Sequence, residues 1–403
     1  MATKIVYTSF DRFPSPKGAA THIGAFSSAL GRCFPNVDLV SIPPTPHPQE
    51  LTDKGSTIVD HSAPGVTHHP IPAEGDHLFE RVLNFRARYL QWWQQRFAHT
   101  LVPVAHFRSI FEGYPIAQQK SKVCRRIVYE VNGFPSIELK YHYPRVAEDQ
   151  ELLQKLRTQE DICLQAADLI LTVSDVNRAY LLSRGVTKNK IKVIRNGVDL
   201  TTFTYRPPRD LRERSLKLIY TGTLTAWQGV GLAIEALGLY LRDAPATLRI
   251  IGPIRSHERK RLEKLIWKAN LADHVLLESA VSQTKLVQAY HEADVALAPL
   301  TRSDRNTLQG CCPLKVIEAM AVGTPLVASR LPVVEELVKN EQEALLVRTG
   351  SAKAIKDALF RLRNEPSLAH TLSDQARQRV EQQFQWKFAQ TALVAAYRPL
   401  FPG

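Results

Sequence analysis

Lys315 and Glu318 lie three residues apart in "GCCPLKVIEAMAVGTPLV", an otherwise apolar run from Gly310 to Val327. On a helix that spacing puts both side chains on one face. Pro313 suits the first turn, where its missing N–H costs nothing. Gly310, Cys311 and Cys312 would then present backbone N–H groups at the helix entrance. A cation in the first turn is opposed by the helix dipole, so Lys315 calls for an anion such as a diphosphate nearby. A carboxylate one turn further on, Glu318, could accept hydrogen bonds from ribose hydroxyls, as acidic residues do in other nucleotide folds. The plain alternative is an i,i+3 surface ion pair contributing a few tenths of a kcal/mol. Taken alone, the residues weigh the two readings evenly.

Other stretches bring residues to strand ends. "LIYTGTLTAWQGVGLAIEAL" reads as strand, Gly222, loop, Gly229, helix, a turn through which backbone can approach a phosphate. "HFRSIFEGYPIA" places His106 and Arg108 after a strand, and "YEVNGFPSIE" does the same for Glu130 and Asn132; all are acceptor-side candidates by location. His22 reads as a packed helix residue, and Arg255, Arg302 and Arg305 read first as solvated loop arginines. No Asp-x-Asp and no GxSxG elbow occurs. The adjacent His68 and His69 lack ligand spacing, so no metal is expected.

The elements that must hold these residues alternate along the whole chain. Twelve short β-branched runs, beginning with "KIVYTS" (4–9) and ending with "EALLVR" (343–348), are separated by amphipathic segments such as 230–242 and 352–363. That alternation means parallel sheets covered on both faces. Twelve strands in 403 residues predict two doubly wound Rossmann-like domains. "NGVDLTTFTYRPPRDLRERS" (196–215) is the boundary, between a 1–205 domain and a 206–385 domain. A final helix within 386–403 follows a long helical pattern over 366–383. Ser41 to Gly75 reads as an irregular, loop-heavy zone. In such sheets ligands bind beyond the carboxyl ends of strands, so the cleft between the domains is the expected site.

The bulk numbers agree. The chain is 44% hydrophobic and 23% charged, with a net charge of +13. No run of 18 apolar residues occurs, and the five cysteines form no CxxC, so a cytoplasmic protein with reduced thiols is expected. A basic surface suits phosphorylated ligands or anionic lipid; no module for nucleic acid is present. The segment 77–97 mixes arginines with aromatics and has two readings: a core helix, or a helix lying on an anionic membrane.

"CCPLKVIEAMAVGTPLVAS" resembles the nucleotide-sugar motif of the retaining glycosyltransferases of family 4 (group 1), which have the two-Rossmann GT-B fold. "PKGAATHIGAFSSAL", "ADLILTVSDVNRAYLLSRGVTKNKIKVIRNGVDLTTF", "YTGTLTAWQGVGLAIEAL" and "ADVALAPL" resemble further family stretches in the right order. "FQWKFAQTALVAAYRPLF" resembles its closing helix, which returns to the first domain. Only about 45–120 matches poorly. The resemblance implies a metal-independent transfer from a nucleotide-diphosphate sugar to a glycan or lipid-linked acceptor, in bacterial glycan, exopolysaccharide or glycolipid synthesis and without a cofactor. It implies that Glu318 binds ribose and that N–H groups around Cys311, Cys312, Pro313 and Leu314 face sugar and phosphate. Val281 would neighbour the base, and Gly18 would lie against the diphosphate from the opposite domain. Gly222, Thr223, Gln228 and Gly229 form the donor turn. Lys315, Glu318, His106 and Arg108 are the catalytic candidates. Three charges usual in the family are missing: Thr223 and Gln228 replace an arginine and a lysine, and Gly310 replaces a glutamate. That leaves Lys315 as the principal cation for a diphosphate, or the chain as a non-catalytic binding or scaffold homologue. The second histidine of the family's usual spaced pair is Arg108. A place at the inner membrane face would suit a lipid-linked acceptor.

Overall fold

A computed structural model describes residues 4–401 apart from 16, 35, 45–62, 99 and 213. The first sheet contains β1 (Lys4–Arg12), β2 (Asn36–Ile42), β3 (Val66–Pro70), β4 (Val102–Phe107), β5 (Cys124–Val131), β6 (Leu169–Thr172) and β7 (Ile191–Val193). Its order is β3-β2-β1-β4-β5-β6-β7, with every neighbour parallel. The second contains β8 (Leu216–Thr221), β9 (Ala246–Ile251), β10 (Val275–Glu278), β11 (Val295–Ala298), β12 (Leu326–Ser329) and β13 (Leu345–Val347). Its order is β10-β9-β8-β11-β12-β13, again parallel throughout. Strands such as "IVYT", "IVYEV" and "VALA" are apolar on both faces, as parallel strands covered by helices must be. These are two doubly wound Rossmann-like domains, the GT-B arrangement.

The irregular zone needs correction. It contains a thirteenth strand, β3, whose polar sequence "VTHHP" hides it from a search for apolar runs. It is an edge strand, where polar residues are tolerated. His69 Nε2 lies 2.9 Å from Asp38 Oδ1, and His68 bonds to Ser41 at 2.8 Å. Residues 45–62 of the zone lie outside the described residues.

Segment 77–97 is the helix Leu78–Phe97, with Val82, Phe85, Tyr89 and Trp93 buried against the first sheet. Its Arg86 donates to the carbonyls of Ile110 and Phe111, and Arg96 pairs with Asp38. The aromatics meant for a membrane are therefore mostly in the core, and Glu74, Asp76 and Glu80 flank the helix start.

Between β7 and β8 the described residues form no regular element. Here "NGV" receives the returning C-terminal passage: Val198 N donates to Phe384 O at 2.8 Å, and Trp386 N donates to Val198 O at 3.3 Å. A Cβ on Gly197 would stand 2.4 Å from Trp386 N, so only glycine lets the two passages cross. The helix Trp386–Tyr397 then packs on the Gly18–Cys33 helix of the first domain. Among the described residues no helix is long and apolar enough to cross a membrane.

Candidate active site between the domains

A cavity of about 660 Å³ lies between the domains. From the first domain it is lined by residues following β1, β4 and β5, including Gly18, His22, Arg108 and Asn132. From the second it is lined by residues following β8, β9 and β10, and by the start of the Leu314–Val322 helix. All of these are carboxyl ends of parallel strands or the helix starts beyond them.

Lys315 is 7% exposed, its Nζ has no hydrogen-bond partner, and it sits 4.0 Å from the centre of the Tyr220 ring. Burial lowers its pKa from 10.5 to about 7. Gly222 has φ +117°, and a Cβ there would come 3.1 Å from Lys315 Cε, so the glycine leaves room for the lysine to enter the turn. Glu318 turns the other way, accepting from Tyr290 OH at 3.4 Å, and burial raises its pKa to about 7. The surface ion pair is excluded: Lys315 is buried and Glu318 half-buried in the cavity wall, and no ion pair joins them. An unpartnered buried amine is costly, and its natural complement is an anion entering the cavity.

Cys311, Cys312, Pro313, Leu314, Val281, Thr223 and Gln228 also line the cavity. Gln228 Oε1 is buried without a partner. Gly18 stands opposite the start of the Leu314–Val322 helix, where a Cβ would come 2.9 Å from Leu314 Cδ1. Gly229 does not face the cavity; its Cβ would strike Pro299 O at 1.7 Å, so this glycine serves helix–strand packing. Gly310 also turns away. At φ +79° it packs under the first domain, where a Cβ would lie 2.5 Å from Ser174 Oγ. A glutamate there would need that seam to open.

On the first-domain side the buried Glu130 is a hub rather than a cavity-lining residue. Tyr7 OH and Arg108 Nε each donate to it at 2.9 Å, and Asn132 Nδ2 also donates. His22 Nε2 and His106 Nε2 stand 3.0 and 3.2 Å from its oxygens. Burial pushes its pKa up, but the facing His22, the Arg108 guanidinium and the hydrogen bonds it accepts hold Glu130 well below the usual carboxylate range. His106 is corrected: it is 1% exposed, stacked on Tyr7 and bonded to Tyr397 OH at 2.5 Å, out of reach of the cavity. Burial lowers its pKa below the ordinary histidine value. Arg108 does reach the cavity, spanning Glu130 and Asp11.

His22 is more than a packed helix residue. It lines the cavity and bonds through Nδ1 to Asn196 Oδ1 at 2.8 Å, while Asn196 Nδ2 donates to Cys312 O at 2.9 Å. The asparagine of "NGVD" thereby ties the first domain to the start of the Leu314–Val322 helix. Arg305 is corrected too: it is largely buried, paired with Glu138, donates to Gly310 O at 2.7 Å, and lies 4.9 Å from the Trp227 ring. Arg302 and Arg255 remain exposed. Trp227 and Asn196 line the cavity and were missed as site residues; the glycine-bearing turn and "NGVD" around them were the available signals. Among the described residues, no three His, Cys, Asp or Glu side chains converge as a metal site would require.

Two parallel-sheet domains with a cavity at their facing strand ends, one wall carrying a buried cation and carboxylate, define a GT-B protein. Residues 202–379 match the family described as Glycosyl transferases group 1, and residues 16–202 match Glycosyltransferase Family 4; together the matches and the fold support a group 1 glycosyltransferase. The chain is 31% identical over 238 residues to a putative colanic acid biosynthesis glycosyltransferase, WcaL, of Escherichia coli, covering 58% of this chain and 57% of that protein. It is 28% identical to the amylovoran biosynthesis glycosyltransferase AmsK of Erwinia amylovora, covering 54% and 53%. The chain thus spans little more than half the length of these relatives. In fold it is similar to sucrose-phosphate synthase from Thermosynechococcus elongatus, with TM-score 0.79, 21% identity and 99% of both chains covered. It is also similar to Anabaena HepE in complex with UDP and glucose, with TM-score 0.74, 16% identity and 98% and 99% covered.

Proposed function

We propose that this protein is a retaining, metal-independent glycosyltransferase that moves a sugar from a nucleotide-diphosphate donor to an acceptor hydroxyl in bacterial polysaccharide synthesis. The observation that carries the reading is the unpartnered, buried Lys315 beside Gly222, one helical turn from Glu318 in the same cavity. A donor diphosphate entering between them would meet the ammonium and the start of the Leu314–Val322 helix, with Glu318 placed for the ribose. Its negative charge raises the pKa of Lys315 and so secures the ammonium form. As the diphosphate departs, that fixed cation stabilises the developing charge, and the acceptor attacks the same face of an oxocarbenium-like sugar. Arg108 and His22, held by Glu130 and Asn196, line the opposite wall, where the acceptor would bind. The named relatives acting in colanic acid and amylovoran synthesis support the polysaccharide context.

The rival is a non-catalytic homologue, favoured by Thr223, Gln228 and Gly310 in place of charged residues. Slow donor hydrolysis followed by proton NMR separates the two. Release of the α-sugar from an α-linked nucleotide-diphosphate sugar, before mutarotation, supports retention. Release of the β-sugar overturns it, and no release from any common donor supports the rival.

A further inference from the structure

We propose that the helix Ser256–Lys268 of the second domain docks the protein on an anionic lipid surface. Leu262 and Ile266 of this helix are buried in the domain core, and the opposite side is solvent-facing. That side carries Lys260, Lys264, Trp267 and Lys268, with Arg261 at its edge. Trp267 is 76% exposed, the highest value among the exposed large hydrophobic side chains. Lys260, Arg261, Lys264 and Lys268 have no ion pair or hydrogen bond among the described residues, whereas Arg259 pairs with Glu263 at 3.4 Å and Glu258 is buried. Four uncompensated cations therefore surround one bare indole.

An indole with one apolar body and one N–H is at home at the boundary between headgroups and acyl chains. Lysines around it meet anionic headgroups, each contributing about 1 kcal/mol, or roughly fivefold in binding. Single-stranded nucleic acid is less well matched, because it is gripped by a groove with several stacking aromatics, and this is one ring on a convex helix. Arg255, just before the helix, lies 5.8 Å from the ring of Tyr143 in the first domain, itself 40% exposed, so the helix starts beside the first domain. The Leu78–Phe97 helix is the poorer lipid contact, since its aromatics are largely in the core and its arginines are bonded.

The test is co-sedimentation of the full chain with vesicles of phosphatidylcholine alone or with one-third phosphatidylglycerol. Binding only to the anionic vesicles is expected. The variant K260A/K264A/K268A should lose roughly 100-fold in vesicle affinity, and Trp267→Ala should lose several-fold, with unchanged thermal unfolding because all four sites are exposed. In wild type, vesicles should shift tryptophan emission to the blue, and Trp267→Phe should abolish the shift. No binding to anionic vesicles, equal binding by the triple variant, or a stronger affinity for single-stranded RNA than for vesicles would overturn the proposal.

Discussion

Replacing Lys315 by methionine should make the empty protein more stable and the ligand-bound one less so. The native amine is buried and unpartnered, and burial lowers its pKa from 10.5 to about 7. Between these values the unfolded chain binds more protons than the folded one. Stability therefore rises with pH across that window, and the penalty is complete below pH 7. At about 1.4 kcal/mol per unit, a shift of about 3.5 units bounds that penalty at roughly 5 kcal/mol. The Tyr220 ring 4.0 Å away returns about 1–2 kcal/mol to the ammonium form. A net gain of about 3 kcal/mol for Lys315→Met is thus expected at pH 6–7, shrinking as pH rises towards 10. Binding should move the opposite way. A hydrogen bond to a charged group contributes about 1.5–3 kcal/mol, so nucleoside diphosphate affinity should fall roughly 10- to 150-fold while nucleoside affinity stays constant. Denaturant unfolding at pH 6, 7 and 9 and calorimetric titration of both ligands read the two effects. A destabilised variant, or equal losses for nucleoside and diphosphate, would refute the reasoning and remove Lys315 from the phosphates.

Two further outcomes follow from buried groups elsewhere. Glu112 is fully buried and caps the Ile110–Gln118 helix, accepting from Arg108 N and Ser109 N at 2.9 and 2.8 Å, and burial raises its pKa to about 8. The folded state then holds a proton the unfolded chain has lost between about pH 4.5 and 8, so stability falls as pH rises through that window. Glu112→Gln should flatten this slope by up to roughly 1.4 kcal/mol per unit, read by urea unfolding at pH 5, 6.5 and 8. Gly197→Ala should cost about 1–3 kcal/mol through overpacking against Trp386 N. Its thermal unfolding should show lower stability, and proteolysis should release the C-terminal helix first.

The fold was legible because both sheets are built from short apolar strands at regular spacing. β3 was not, since an edge strand need not be apolar. "PLKVIEA" pointed to Lys315 and Glu318, which do line the cavity, but depth changes how the pair reads. A surface pair at i,i+3 and a buried, unpartnered lysine beside a half-buried glutamate have the same spacing, and only burial tells them apart. The first-domain wall was harder. His106 and Glu130 stand at strand ends as expected, yet both turn inward to a shared buried network, while His22 reaches the cavity from within a helix. Arg108 and Asn132, each two residues further on and just past the strand end, line the cavity, so depth along the strand rather than the face of the pleat separates the two pairs. Arg305 read as solvated because its partners, Glu138 and Trp227, are distant in sequence.

The most direct test titrates UDP, GDP and ADP into the wild-type protein and into Glu318→Ala, following heat at pH 7.5. At least one diphosphate should bind the wild type, and Glu318→Ala should weaken it about tenfold or more, as loss of a charge-assisted bond to ribose requires. No heat with any diphosphate, or the same affinity in both proteins, would contradict a nucleotide-sugar site at the start of the Leu314–Val322 helix.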